Sequence, residues 1–359
     1  MHRPPHLRSS ALAATVAALL AVGGLAPAAT AAPGAAAKHA VRCAGDGAAV
    51  ATARLAYSKL PAASSFTKRV AAADGRVIQL GSGRFSFTNF TRADGTLDGA
   101  VAGPTVGGLV GSGASRTTLQ VKQYSSTHAK DIPRTFPNTN QLSVLRVSGR
   151  SAVLRGFTVN GTKQGHLYNG LRIDRVRGLR ASRLRITHIP GNDSAPPGET
   201  FGINDYRTVG SQWSHIVVDG KGVGASGFGV NSSRSITICD AVSRNNPTGM
   251  GFAFWQSSGI RLVDSRAVDN GFSGFNFERT TGAVVLVRPA ASGNRYGMRI
   301  ASDRSSAHFR IVDPKLNHGR WTVTLPKRWY GTTNRQRASD ISLIVHGKPR
   351  PDLLRIVRY

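Results

Sequence analysis

Acidic side chains are scarce in this chain, with 18 Asp and Glu against 47 Lys and Arg over 359 residues, and only two of the acids, Glu199 and Glu278, are glutamates. Charge of this sign attracts acidic polysaccharide, teichoic acid, anionic surfaces or nucleic acid. An Ala-, Gly- and Arg-rich composition also produces such an excess with no partner, as a solvated basic face. Cysteine is scarcer still. Cys43 and Cys239 are too few for a disulfide scaffold, so the core has to come from chain length, and 359 residues supply it. After the N-terminal stretch no apolar run reaches the ~18 residues of a membrane-crossing helix, and no membrane span is expected.

What is present begins with a leader. "MHRPPHLRSS" is basic, "ALAATVAALLAVGGLA" is apolar, and small residues follow with an Ala-x-Ala exit at Ala29 to Ala31. That is the plan of an export signal, which predicts a secreted, extracellular protein with residues 1–31 removed. Cleavage takes away Arg3 and Arg8, leaving 45 basic against 18 acidic residues and a mature charge of +27.

Glycines reveal the organisation. "GLRIDRVRG" from Gly170, "GINDYRTVG" from Gly202, "GFGVNSSRS" from Gly227, "GFAFWQSSG" from Gly251, "GFNFERTTG" from Gly274 and "GMRIASDRS" from Gly297 share one nine-residue pattern. Their starts lie 32, 25, 24, 23 and 23 residues apart. A sustained period of this size signals a repeat architecture, in which stacked units bury a face that one unit cannot. Within each unit apolar residues alternate, the periodicity of a strand. One inward column reads Leu171, Ile203, Phe228, Phe252, Phe275 and Met298; the next reads Ile173, Asp205, Val230, Phe254, Phe277 and Ile300. Only Asp205 breaks it. Asn246, Asn270 and Asn294 recur every 24 residues, the spacing for an amide ladder running up the stack.

Coils of about 23 residues with several short strands and a stackable asparagine resemble the right-handed parallel β-helix of the pectate-lyase-like superfamily. The resemblance implies an all-β solenoid over residues 76–312. Residues 32–75 then form a linker and an N-terminal helical cap, and 313–359 a last coil and C-terminal cap. Leucine-rich repeats are the competing solenoid, but their leucine spacing is missing. Proteins of the superfamily include polysaccharide lyases, glycoside hydrolases, uronan epimerases and depolymerases whose substrate lies along a parallel sheet. This chain lacks the acidic calcium-binding cluster of the pectate lyases and any hydrolase signature. No metal, no cofactor and no catalytic residue is therefore carried over.

The outward positions supply candidates directly. If the inward columns are right, Arg172, Asn204, Gly229, Ala253, Asn276 and Arg299 form one solvent-facing column, and Asp174, Tyr206, Asn231, Trp255, Glu278 and Ala301 form the next. Aromatic rings offer apolar faces to sugars, and amides and carboxylates hold hydroxyls. Tyr168, Asn204, Tyr206, Arg207, Asn231, Trp255, Gln256, Asn276, Glu278 and Arg279 are accordingly the expected substrate-binding residues. The long first interval contains "HIPGNDSAPPGET", a loop with Asp193 and Glu199, and "QGHLYNG" upstream adds His166. With Asp174 and Asp205 on neighbouring coils about 4.8 Å apart, these five are the catalytic candidates. Two carboxylates at about 5 to 10 Å would serve a glycosidase. Alternatively, arginines would neutralise a uronate while His166 or Tyr168 takes its proton, as in a lyase. Asp205 in an inward column is expected to turn outward, to be protonated, or to pair with an arginine.

Two functions from different classes follow. The first is an enzyme cleaving an acidic extracellular polysaccharide by elimination or hydrolysis; the second is a non-catalytic glycan-binding or surface protein. Nucleic acid is the weaker partner because the basic residues are scattered. A homo-oligomer stays open.

Overall fold

The structure is a computed structural model that describes residues 77–87, 108–121, 143–148, 152–161, 169–189, 200–221, 226–301, 305–316, 319–325 and 336–358, together with short strands at 55–57, 90–91, 97–98, 100–101, 328–329 and 332–333. Strands dominate, and the helical elements among the described residues are two 3-10 turns, Ala338–Asp340 and Pro351–Leu353. One sheet has ten strands in this order along the chain: β1 (Ala100–Val101), β2 (Ser143–Ser148), β3 (Asn169–Asp174), β4 (Phe201–Tyr206), β5 (Ser226–Asn231), β6 (Phe252–Trp255), β7 (Ser273–Glu278), β8 (Tyr296–Ala301), β9 (Trp321–Leu325) and β10 (Leu354–Arg358). Each pairs in parallel with the one before and the one after. A larger sheet of 17 strands carries the return path of every coil. It includes Arg180–Thr187, Gln212–Asp219 and Arg234–Arg244, again paired in parallel.

The register places both inward columns as the sequence predicts. Leu171, Ile203, Phe228, Phe252, Phe275 and Met298 lie side by side in the core, as do Ile173, Asp205, Val230, Phe254, Phe277 and Ile300. Because like residues meet at every coil, the rings stack. Phe252 and Phe275 are 5.3 Å apart at 10°, and Phe254 and Phe277 are 4.9 Å apart at 8°. Such aromatic pairs add about 0.5 to 1.5 kcal/mol each beyond their burial.

The asparagine ladder is also in place. Asn246 donates from Nδ2 to Asn270 Oδ1 at 2.6 Å, and Asn270 donates to Asn294 Oδ1 at 2.9 Å. The repeated glycine makes room for it. A Cβ on Gly251 would lie 2.7 Å from the Gly274 carbonyl oxygen and 2.9 Å from the Asn270 side-chain nitrogen, so any larger residue would push the coils apart.

Coils turn by a device that the sequence does not advertise. Arg175, Arg207, Ser232, Gln256 and Arg279 all have φ between 51° and 59°, the left-handed region that costs an L-residue about 1 to 2 kcal/mol. A backbone hydrogen bond to the next coil holds each of the first four: Arg175 N–H donates to Tyr206 O, Arg207 to Asn231 O, Ser232 to Trp255 O and Gln256 to Glu278 O.

Of the segment expected to be a helical cap, the described piece is a strand, Leu55–Tyr57, paired in parallel with Val77–Leu80. The rest of that cap and the leader lie outside the described residues. At the other end, within the segment expected to be a last coil and cap, "WTVTL" is β9, and β10 extends the sheet once more.

Candidate functional site

The outer face of the ten-stranded sheet carries the two predicted columns, in register, but it is far less exposed than the sequence suggests. Arg172, Asn204, Ala253, Asn276, Arg299 and Ala301 are buried, and so are Asp174 and Asn231. Tyr206 and Glu278 are half-buried. Trp255, at 37% exposure, is the one exposed large apolar side chain among the described residues. Side chains of neighbouring coils also bond to one another along the columns. Asn231 donates to Asn204 at 2.7 Å, and Arg299 donates to Asn276 at 3.1 Å while its guanidinium sits 5.1 Å from the Phe272 ring centre. The Phe201 ring occupies the space left by Gly229, where a Cβ would come within 2.5 Å of it.

At the β2–β4 end, charges gather on one aromatic ring. The Arg172 and Arg207 guanidinium carbons stand 4.8 and 4.9 Å from the centre of the Tyr206 ring. Asp174 accepts a hydrogen bond from Arg146, its neighbour from the preceding coil, and lies 3.8 Å from Arg175 Nε. Burial pulls the Arg172 guanidinium below its ordinary value, and the negative charge of Asp174 works against that shift. This end therefore holds a cluster of cations around one carboxylate and one phenol.

At the β6–β8 end, Glu278 lies beside Trp255 on one side and Ala301 on the other, in the predicted order. The Arg279 guanidinium stands 5.9 Å from the Trp255 ring centre, within cation–π range. Gln256, next to Trp255, is exposed.

Asp205 resolves differently from an outward turn. Its side chain stays in the core with 0% exposure. Thr208 Oγ1 donates to one carboxylate oxygen at 2.5 Å, and Trp213 Nε1 donates to the other at 2.9 Å. Ser211 in turn donates to Thr208 at 2.9 Å. Burial raises the carboxyl from 3.8 to about 6, with the Thr208 and Trp213 bonds opposing the rise. Asp205 therefore does not turn outward; it stays in the core, where hydrogen bonds hold it and burial shifts it toward the protonated form. Asp174 and Asp205 thus point to opposite faces of the sheet, and the acid pair expected from their adjacent coils does not form.

His166, Tyr168, Asp193 and Glu199 lie outside the described residues. Among the described residues, no group of three or more His, Cys, Asp or Glu side chains is placed to hold a metal ion. Sequence reasoning missed Arg146, although carrying the Arg172 column back one coil through "LRVS" would have found it. It also missed Trp213 and Thr208, whose pairing with Asp205 depends on how the coil folds back on itself. A buried acid on the larger sheet, Asp219, was missed as well. It accepts from Arg244 at 2.9 and 3.1 Å and from Asn245 at 3.0 Å. Burial would raise that carboxyl, but the bonds from Asn245 and Arg244 outweigh it and hold the group below its ordinary value.

No protein-family description and no curated protein matches the chain. Solved structures with a similar path include the N-terminal fragment of bacteriophage Phi29 gene product 12, at 12% identity and TM-score 0.45, covering 84% of this chain and 51% of that one. The chain thus spans about half the length of that fragment. Another is the A-module of a mannuronan C-5 epimerase from Azotobacter vinelandii, at 14% identity and TM-score 0.43, covering 84% and 92%. A third is the catalytic unit of an alpha-1,3-glucanase from Streptomyces thermodiastaticus, at 11% identity and TM-score 0.26, covering 80% and 65%. None is near enough to lend this chain an activity. The coil-on-coil pairing of its own two parallel sheets makes the chain a parallel β-helix.

Proposed function

We propose that the protein is an exported carbohydrate-active enzyme that lays an extended acidic polysaccharide along the outer face of the ten-stranded sheet and cleaves it by elimination. The observation that carries this reading is the Trp255 column, in which the exposed indole shares one straight row with Tyr206, Asn231 and Glu278. An indole face stacks on a sugar ring, and amides and carboxylates beside it hold hydroxyls. From Asp174 to Glu278 the row crosses four coil spacings, about 19 Å at 4.8 Å each, which suits a chain rather than a single sugar.

The distribution of charge supports elimination over hydrolysis. Described carboxylates on that face are Asp174 and Glu278, and the ~19 Å between their rows exceeds the ~5 to 10 Å of a glycosidase pair. Arg207 is exposed beside Tyr206 and, with Arg172 buried against the same ring, supplies the positive charge a uronate needs. The guanidinium groups stabilise the charge that develops on the sugar carboxylate when the adjacent carbon loses its proton. The Tyr206 oxygen takes that proton from the carbon and passes it to the glycosidic oxygen, whose bond to carbon breaks as the new carbon–carbon double bond forms. Asp174 holds Arg146 and steadies the cationic cluster. Export is supported by the leader and by Cys239, which is disulfide-bonded, since such bonds persist in oxidising compartments.

The test is incubation of the mature protein with a panel of uronate-bearing and neutral glycans, with the products weighed. Elimination gives one fragment lighter by a water than hydrolysis would, and Tyr206→Phe should abolish it. Binding without any product would replace this reading by the non-catalytic glycan-binding one.

A further inference from the structure

The outer face of the larger sheet is covered at one place. Ile238, Leu262 and Leu286 pack in the main core, and the residue after each of them, Cys239, Val263 and Val287, faces the other way and joins a separate buried cluster. These last three sit on consecutive coils of one column, at 3%, 0% and 7% exposure. In the same column Gln79, Val110, Arg155, Ser182 and Ser214 before them, and Val312 after them, are all half-buried. Residue type is not the cause, because Val110 and Val312 are valines too. The cover is local to the coils of Cys239, Val263 and Val287.

Cys239 points to what that cover is. It is disulfide-bonded, and the chain has one other cysteine, Cys43, which lies outside the described residues. Reach limits how the chain can get there. Ala56 stands in the same column six strands before Cys239, a distance of roughly 29 Å at about 4.8 Å per coil. Cys43 precedes Ala56 by 13 residues. Wound as an α-helix they rise about 20 Å, and the ~6 Å between the Cα atoms of a disulfide does not close the gap. Extended, they reach about 43 Å, which does.

We propose that Cys43 pairs with Cys239 and that residues 40–54 form an extended strap laid across the coils on the outside of the larger sheet. Residues 44–54, "AGDGAAVATAR", are mostly small and lie close over the Ser182 and Ser214 coils on the way to Ala56. Ala40 and Val41 continue past Cys239 in the opposite direction and cover Val263 and Val287. The occupant of this face is thus the chain's own N-terminal segment, and the strap leaves the ten-stranded sheet open. Closing the bond removes two protons and two electrons from the thiols, taken up by a thiol–disulfide oxidant of the compartment that receives the exported chain.

Peptide mapping of the unreduced mature protein should find Cys43 joined to Cys239 in a monomer. A Cys239–Cys239 bond between copies, or free thiols at both positions, would overturn the proposal. Mild reduction of the folded protein then tests the cover. Trypsin cleavage after Arg42 and Arg54 should quicken about tenfold or more as the strap opens, and binding of an apolar dye should rise, while circular dichroism keeps its β spectrum. Cys43→Ser should behave like the reduced protein, and adding Val263→Thr/Val287→Thr to it should remove most of the dye signal. Unchanged cleavage or unchanged dye binding on reduction would sink the strap, and a dye signal that survives the threonines would put the uncovered surface elsewhere and sink it equally. Loss of the β spectrum on reduction would make the bond part of the core rather than of a strap, which also overturns the idea. None of these results bears on the cleavage proposed for the ten-stranded sheet.

Discussion

Replacing Asp205 by Asn should make the protein more stable above pH 6 and leave it little changed near pH 4. In the unfolded chain the carboxyl titrates at its ordinary 3.8, and in the core it titrates at about 6. Below 3.8 it is protonated in both states and costs nothing. Between those values the unfolded chain releases its proton while the core keeps it, so stability falls as pH rises. Above about 6 both states are ionised and the full cost is in place. The gap of about two pH units, at about 1.4 kcal/mol each, amounts to roughly 3 kcal/mol.

An asparagine keeps the shape and never ionises. Its amide oxygen can accept from Trp213 and its NH₂ can donate to Thr208, so about one hydrogen bond's worth of rearrangement, near 1 kcal/mol, offsets part of the gain. Denaturant unfolding of both proteins at pH 4, 5, 6 and 7.5 isolates the carboxyl, because every other group is common to the two. The difference should grow by about 3 kcal/mol in favour of Asn across that range. A flat difference would refute the reasoning. A difference of opposite sign would mean that Thr208 and Trp213 stabilise the charged form more than burial disfavours it. Cleavage activity should survive, since the side chain faces the core.

Phe254→Ala should cost about 3 to 5 kcal/mol in denaturant unfolding, as a buried ring is lost from the stack with Phe277. Asn270→Ala should cost about 1 to 3 kcal/mol, because it removes the acceptor of Asn246 Nδ2 and the donor to the Ser243 carbonyl, while Asn294 Oδ1 keeps the Asn270 backbone N–H. Asn294→Ala, nearer the surface, should cost less. Glu278→Gln should weaken binding of long glycans more than short ones in titration calorimetry and shift stability by no more than about 0.5 kcal/mol.

The core was legible because its signal is repeated. Six glycine-aligned units fix a period of alternation, and one unit that is hard to read borrows its register from the others. The asparagine ladder was legible for the same reason, as three amides at one spacing have few other places to go. Asp205 was legible as an anomaly but not as an answer, because its partners Thr208, Ser211 and Trp213 lie beyond the strand and reach it only after the coil turns. The burial of the outer columns was hidden more deeply. Alternation says that Arg172 and Asn276 face away from the core, but it cannot say that Tyr206 sits against one guanidinium or that Arg299 reaches back to Asn276.

The corners were the least legible feature and have the most to do with the site. Nothing about Arg207, Gln256 or Arg279 marks a left-handed backbone, for which glycine or asparagine would be the usual sign. Coil stacking imposes the conformation instead, through inter-coil hydrogen bonds such as those made by Arg207 and Gln256, and several coupled bonds outweigh a local cost of about 1 to 2 kcal/mol. The consequence falls on the residue just before each corner. Tyr206 and Trp255 end their strands where the chain turns, and the corner arginines Arg207 and Arg279 each stand over an aromatic ring of the same row, Arg207 over the Tyr206 before it and Arg279 over Trp255 one coil back. A cation above a ring, found twice in the row and held by a strained but over-determined backbone, is a rigid arrangement. Rigidity of that kind lets an extended ligand be recognised without the entropy cost of ordering loops, and it comes from the repeat itself rather than from any single residue in it.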